Sequence, residues 1–254
     1  MWYIKLVDIL RFCEYKTLGE MVVNVLNSAK NKKGGSMRGI KVGGIVVACF
    51  LWIITGYAQE ELLLDSFEGR INSYTVDLEK SKGSEIKVSG ERKLKVCGKQ
   101  SMKVEFEVKS LQSGKVIGEG FVRAGRGYGL KTRRAGRWLV KPRRINWDKF
   151  NAISFMCYGR NSKAIIKFGV RDVKGEVWKF IFRDDFKGWK EIIAPFEQFY
   201  MRREEQPEGL ECNTILDFPL KSFFFEFVLP GKDVYYFDCV KLKHVKIPKK
   251  MEGK

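Results

Sequence analysis

Histidine is almost absent: His244 is the only one in 254 residues. One histidine cannot supply a multi-histidine metal centre. Its position near the C-terminal tail also leaves no Ser-His-Asp arrangement to build around it. Cysteine is sparse as well. Cys13, Cys49, Cys97, Cys157, Cys212 and Cys239 show no C-x-x-C spacing, which speaks against a zinc ribbon. No dinucleotide fingerprint or P-loop is present, since the glycines at 125–129 are interleaved with arginine and open no helix. Internal repeats, low-complexity linkers and a strong helical period are also missing. Acidic residues are in deficit, 30 Asp and Glu against 48 Lys and Arg, for a net charge of +18. Any partner selected by charge is therefore anionic.

What is present begins with a targeting pattern. Residues 37–58 read MRGIKVGGIVVACFLWIITGYA. Arg38 and Lys41 form a basic head, 42–55 an apolar stretch, and Gly56-Tyr57-Ala58 a small-residue site with cleavage before Gln59, which together make a secretory signal. A membrane anchor is the competing interpretation, but the apolar run is shorter than the roughly 20 residues a span needs. Val46-Val47-Ala48-Cys49 faintly resembles a lipoprotein box, except that the apolar run continues past Cys49. Lys33-Gly34-Gly35 can be encoded by the core of a bacterial ribosome-binding site, so translation is expected to start at Met37, with 1–36 a mis-called upstream extension. A real N-terminal helix over 18–26 is the alternative. Export puts the mature chain in a secreted, periplasmic or envelope compartment, without a stable span after cleavage. Cys97, Cys157, Cys212 and Cys239 remain there, and disulfides are plausible. Their pairing stays open, and Cys157, in an apolar strand, reads equally well as a buried thiol.

From Gln59 onward the chain reads as one all-β domain over 59–247, followed by a basic tail at 248–254. Residues 101–109 alternate Met102, Val104, Phe106 and Val108 against Lys103, Glu105, Glu107 and Lys109, the pattern of an antiparallel strand with one wet face. Residues 62–65, 85–88, 151–158, 164–172 and 234–244 are further strands, and 115–122 is a weaker one. Apolar residues on both faces of 222–229 mark a strand buried on both sides. Residues 176–199, EVWKFIFRDDFKGWKEIIAPFEQF, read as a hairpin around a polar Arg183-Asp184-Asp185 turn, with Pro195 closing its second strand. About ten short strands with turn signals between them imply a sandwich or barrel.

The order of several short motifs resembles the galactose-binding-domain-like jelly-roll β-sandwiches, which include carbohydrate-binding modules and the complex I intermediate-associated proteins. The matching pieces are Asp65-Ser66-Phe67-Glu68-Gly69, Gly98-Lys99-Gln100-Ser101-Met102-Lys103-Val104, Asn146-Trp147-Asp148 before Ile153-Ser154-Phe155, Gly188-Trp189 with Ile193-Ala194-Pro195-Phe196 and Phe199, and Asp238-Cys239-Val240-Lys241-Leu242. The resemblance implies a structural calcium ion held by Glu68 and Asp238, with Asp65 as a neighbour. It also marks Trp147, Trp189 and Phe196 as scaffold.

Aromatic faces stack on pyranose rings. Tyr128, Trp138, Tyr158, Trp178 and Tyr200 are candidates for that role, each weighed against burial in the core. Residues 123–149 carry ten basic side chains and one acid, Asp148. Within them Arg133 and Arg134 are candidate contacts to an anionic polysaccharide, since arginine pairs with carboxylate and sulfate through two bonds. Nucleic acid fits the charge but not the export signal. Asp184-Asp185 and Glu204-Glu205 are read as solvated turn acids, not a glycosidase pair. The expectation is a secreted, non-catalytic carbohydrate-binding module. The alternative is an assembly factor on the same fold, with a glycoside-active enzyme behind both.

Overall fold

The computed structural model describes residues 61–113, 116–118 and 120–246. The segments read as upstream extension, signal and basic tail (1–36, 37–58 and 248–254) lie outside the described residues. The strands are β1 (Glu61–Asp65), β2 (Asp77–Lys80), β3 (Glu85–Glu91), β4 (Ser101–Val108), β5 (Leu111–Ser113), β6 (Val116–Gly118), β7 (Val122–Gly127), β8 (Ala152–Arg160), β9 (Ile165–Arg171), β10 (Val177–Arg183), β11 (Lys187–Pro195), β12 (Ser222–Phe227) and β13 (Gly231–Lys243). All pair antiparallel. The first sheet runs β11-β8-β13-β4-β3, with β1 also paired to β13; the second runs β10-β9-β12-β7-β2; β5 and β6 form a separate ladder. This is a two-layer all-β sandwich, one of the two architectures that the alternation implies and the one that the resemblance implies.

Phenylalanine fills the space between the sheets. In β12 every residue is buried, as the continuous apolar run predicts for a central strand, and it lies between β9 and β7. Phe223, Phe225 and Phe227 face inward. The Phe225 ring stacks on Phe237 of the opposite sheet at 3.7 Å. Phe155 of β8 meets Phe168 at 4.6 Å, Phe225 at 5.1 Å and Phe182 at 5.4 Å. Such pairs add about 0.5–1.5 kcal/mol each beyond the area they bury.

Two expectations are corrected. The hairpin over 176–199 does not form. Its two strands exist and Pro195 ends the second, but β10 pairs with β9 in the second sheet while β11 pairs with β8 in the first. The reason is Asp184. Its side chain is buried and accepts the backbone N–H groups of Arg160, Asn161 and Ser162, each at 3.1 Å, with the hydroxyls of Ser162 at 2.6 Å and Tyr235 at 3.0 Å. Burial and the neighbouring carboxylate push the Tyr235 phenol up to about 12. These bonds fasten the 184–186 turn to the 161–164 connection, so both segments cross between sheets side by side. A period of two on each side of a turn is the same whether the strands pair or part.

The second correction concerns residues 123–127, the start of the basic stretch, where no strand is expected. They form β7, a strand of the second sheet between β12 and β2. Arg126 points into the sandwich, 1% exposed, and reaches Asp65 through Nε at 2.9 Å and Nη2 at 3.1 Å. A buried arginine is tolerated in a strand when a carboxylate meets it in this paired geometry.

Cys97 and Cys239 form a disulfide with a Cα–Cα distance of 5.7 Å; Cys157 is a buried free thiol and Cys212 a partly exposed one. Phe237→Ala is expected to lower unfolding free energy by about 3–5 kcal/mol in urea denaturation. Ile215→Ala, at a side chain 60% exposed, should stay within about 0.5 kcal/mol of the parent.

Candidate functional site

Side chains alternate along a strand, so turning Phe223, Phe225 and Phe227 inward turns Ser222, Phe224 and Glu226 outward. The registers fix what shares that face: Arg123 and Gly125 of β7, Asp77 and Glu79 of β2, Lys167, Gly169 and Arg171 of β9, and Lys179 of β10. The outer face of the second sheet therefore carries a charge on every strand.

These charges form one network. Glu226, 1% exposed, receives Arg123 in a short contact, Lys179 at 2.9 Å and Lys167 at 3.6 Å. Lys179, 2% exposed, also reaches Glu205 at 2.6 Å. Arg123 meets Glu79 at 3.2 Å, and Glu79 has Lys131 at 3.5 Å and Arg171 at 3.8 Å. Burial works to raise the pKa of Glu226, but Arg123 and Lys179 outweigh it and hold the carboxyl below its ordinary value. Five bases, Arg123, Lys131, Lys167, Arg171 and Lys179, stand against three glutamates, Glu79, Glu205 and Glu226, so the network has a surplus of positive charge.

Two walls rise beside the face. Residues 128–132 lie over β7 and β2: Leu130 packs toward Gly125, and Thr132 N–H donates to Asp77 Oδ1 at 2.7 Å. On the far side Tyr200 exchanges backbone hydrogen bonds with Lys179, and the Gln206 side chain bonds both the N–H and the carbonyl of Val177 at 2.7 and 2.8 Å. Between the walls is a shallow hollow lined by Asp77, Glu79, Arg123, Gly125, Leu130, Arg171 and Phe224. The Phe224 ring lies flat across Gly169, where a Cβ would come within 2.0 Å of Cζ, and the Arg123 guanidinium covers it at 5.1 Å. The ring is a floor and not an open stacking platform.

Two polar atoms on this face have no partner. Arg171 Nε and Ser222 Oγ are both buried and unbonded, and they belong to register partners on adjacent strands. Leaving such a group unsatisfied costs about 1–3 kcal/mol, which makes it a place where a ligand oxygen is welcome.

The residues expected at a site are dispersed. Trp138 is 6% exposed and stacks on Phe223 at 5.9 Å, and Trp178 is 8% exposed opposite Val170; both are core, because their strand or loop turns them inward, and neither is available to a sugar. Tyr128 is half-buried at the first wall, edge-on to Trp138 at 6.2 Å. Arg133 and Arg134 are exposed on the one-turn helix Arg133–Ala135 that follows Thr132. Tyr158 lies on the opposite surface, the outer face of the first sheet, in one row with Trp189 and Tyr236 at 5.5 and 5.8 Å. The basic residues of 123–149 are not one patch, since Arg123 and Arg126 are drawn into separate carboxylate pairs. Of the turn acids, Asp184 is wholly committed to the crossover, while Asp185 pairs with Lys190 at 3.5 Å and Glu205 with Lys179. Asp65 gives both oxygens to Arg126, while Glu68 and Asp238 are brought to the same turn, 96–100. Glu226, Arg171, Lys167 and Lys179 went unread. Their signal was a charged residue inside an apolar run, as in SFFFEF around Glu226.

A larger open hollow of about 580 Å³ lies on the outer face of the first sheet, lined by Glu85, Lys87, Glu105, Glu107, Arg160 and Lys232 among others. Its charges are exposed and mutually paired, Lys232 with Glu107 and Arg160 with Asp233. No unsatisfied buried atom of the described residues belongs to its lining, so the walled face is the better candidate.

Residues 124–242, which begin within β7 and include β8 to β12, match the family described as carbohydrate binding domain (family 11). The domain has the fold of the β-sandwich carbohydrate-binding modules. The module is similar to the family 11 module of Clostridium thermocellum solved with a β-1,3-1,4-mixed-linked tetrasaccharide: 21% identity, TM-score 0.54, covering 73% of this chain and 96% of that one. It is similar also to the family 11 module of the cellulosomal cellulase Lic26A-Cel5E of that organism, at 20% identity and TM-score 0.53, covering 76% and 99%. A solution structure of CtCBM11 gives 22% identity and TM-score 0.52 over 75% and 99%. No curated protein matches the sequence.

Glu226→Gln is expected to destabilise the module by about 3–5 kcal/mol, because it leaves buried cations without their counter-charge. The folded pKa of Glu226 is depressed, so its contribution is fully present above the unfolded value near 4.5 and is lost as pH falls through the folded value. Urea midpoints measured from pH 7 down to pH 3 should fall for the parent and change less for Glu226→Gln.

Proposed function

We propose that the module binds an acidic polysaccharide chain, without catalysis, along the outer face of the second sheet. The observation that carries this reading is the pairing of a cationic surplus with a buried, unbonded donor, Arg171 Nε, in the lining of a walled hollow, with the unbonded Ser222 Oγ at its register partner. Sugar hydroxyls and carboxylates are the oxygen acceptors that suit such donors. The aromatic part of recognition is small here, since Phe224 is covered by Arg123 and Trp138 and Trp178 are core. Charge reads the ligand instead, with Arg171 addressing carboxylates and Lys131, Arg133 and Arg134 extending the positive rim. Non-catalysis is supported by the commitments of the paired acids: Asp184 is bonded into the crossover and Glu205 is neutralised by Lys179. The signal expected at 37–58 would deliver the module to the cell envelope or beyond, where acidic polysaccharides are met and where the Cys97–Cys239 disulfide persists.

Calorimetric titration with a uronate-containing oligosaccharide and with its neutral counterpart tests this. The acidic ligand should bind and the neutral one bind at least tenfold more weakly. Arg171→Ala should weaken the acidic ligand on the order of 10- to 100-fold while leaving the melting temperature within a few degrees. Affinity should fall as salt rises from 50 to 300 mM. Equal, salt-insensitive affinity for the neutral chain would overturn the acidic preference and leave glycan binding in place.

A further inference from the structure

The place where the resemblance implies a calcium ion is built differently. Calcium takes six to eight oxygen ligands at 2.3–2.6 Å. Around Glu68 and Asp238 the groups turned toward the carboxylates are N–H donors. Asp238 Oδ2 accepts Val96 N–H at 2.8 Å and Cys97 N–H at 2.9 Å, and Oδ1 accepts Cys239 N–H at 2.8 Å. Glu68 Oε1 accepts Lys99 N–H at 2.6 Å and Gln100 N–H at 3.4 Å. Two carbonyls of the opposing turn, Phe67 and Gly69, are bridged by Gln100 Nε2 at 2.8 and 2.6 Å. The third expected carboxylate, Asp65, is taken by Arg126, whose fixed positive charge opposes a cation nearby.

The same two stretches are joined covalently. Cys97 lies in the turn that wraps Asp238, and Cys239 follows Asp238 directly, so the disulfide closes the junction that the carboxylate also closes. The sulfurs of Cys97 and Cys239 and a carboxylate oxygen of Asp238 lie within 4.8 Å of one another, but as a disulfide the sulfurs offer no thiolate to a metal. We infer that this junction is locked by the Cys97–Cys239 disulfide and the amide clamp on Glu68 and Asp238 in place of a metal ion. A cation would tie the turn to β13 through shared oxygens. Here the tie is a covalent link between residues 142 apart, and the N–H groups supply the positive ends that the carboxylates need. The stability of the module then depends on redox state and not on calcium.

Melting of the purified, oxidised module in chelator, in millimolar calcium and in reductant distinguishes the two. Chelator and calcium should each leave the melting temperature within about 1 °C. Reduction should lower it on the order of 10 °C, the scale for losing a link that closes so long a loop in a domain of this size. The double variant Cys97→Ser, Cys239→Ser should melt where the reduced parent does and ignore calcium. Should that variant fail to fold, reduction of the folded parent makes the same comparison. A calcium-dependent rise in the oxidised parent, abolished in Asp238→Ala, would overturn the inference, as would a melting temperature indifferent to reductant.

Discussion

The stack of phenylalanine rings between the sheets is the constraint on which the rest depends. Phe225 on Phe237, with Phe155, Phe168 and Phe223 around them, fixes which side of each strand is core. Period-two geometry then leaves no freedom about the other side. A one-residue slip of β12 would bury Glu226 in the ring stack and expose three phenylalanines. The charged outer face is thus the necessary reverse of the aromatic inner one. It is held to its register by hydrophobic burial, which is far larger than the ion pairs the face displays.

Two arginines on one strand show how a charge in a sheet can be settled in opposite ways. Arg126 faces inward and is neutralised by Asp65 in a bidentate pair that no solvent reaches. Arg123 faces outward into a network in which cations outnumber acids. Inside the sandwich any surplus charge would be intolerable, so the pair is balanced. On the outer face a surplus is permitted because water, or a ligand, can answer it. The contrast separates a balanced pair from a network that is paired throughout yet keeps a net positive charge.

Much of this architecture was legible in the chain. The clean alternation of Met102, Val104, Phe106 and Val108, the doubly apolar β12 and the closing motif at Asp238 each point to a strand within three residues of its bounds, and the order of the motifs points to the sandwich. Pairing was the weak point. The stretch around Asp184 has the local signature of a hairpin, yet the strands part into different sheets because a buried carboxylate organises two crossovers at once, and its partners at 160–162 are distant in sequence. Facing was harder for the isolated tryptophans. Trp138 has no alternating neighbours to set its direction, and Trp178 stands as a stacking candidate although its period places it with Phe180 and Phe182. The site itself was only faintly legible: Arg123, Lys167, Arg171, Lys179 and Glu226 come from four strands, and only registers that are non-local in sequence put them side by side.

The pairing of β1 with β13 has a consequence for synthesis. Glu61 lies opposite Lys243 and Leu62 opposite Leu242, so the first described strand and the last are neighbours, and β13 is also flanked by β8 and β4. The first sheet has no centre until its final strand has emerged from the ribosome. Such distant pairing requires a large loop to close before contacts reward it, which makes folding slow and late. The first sheet of such a chain is completed last, after every strand of the second sheet has already been made.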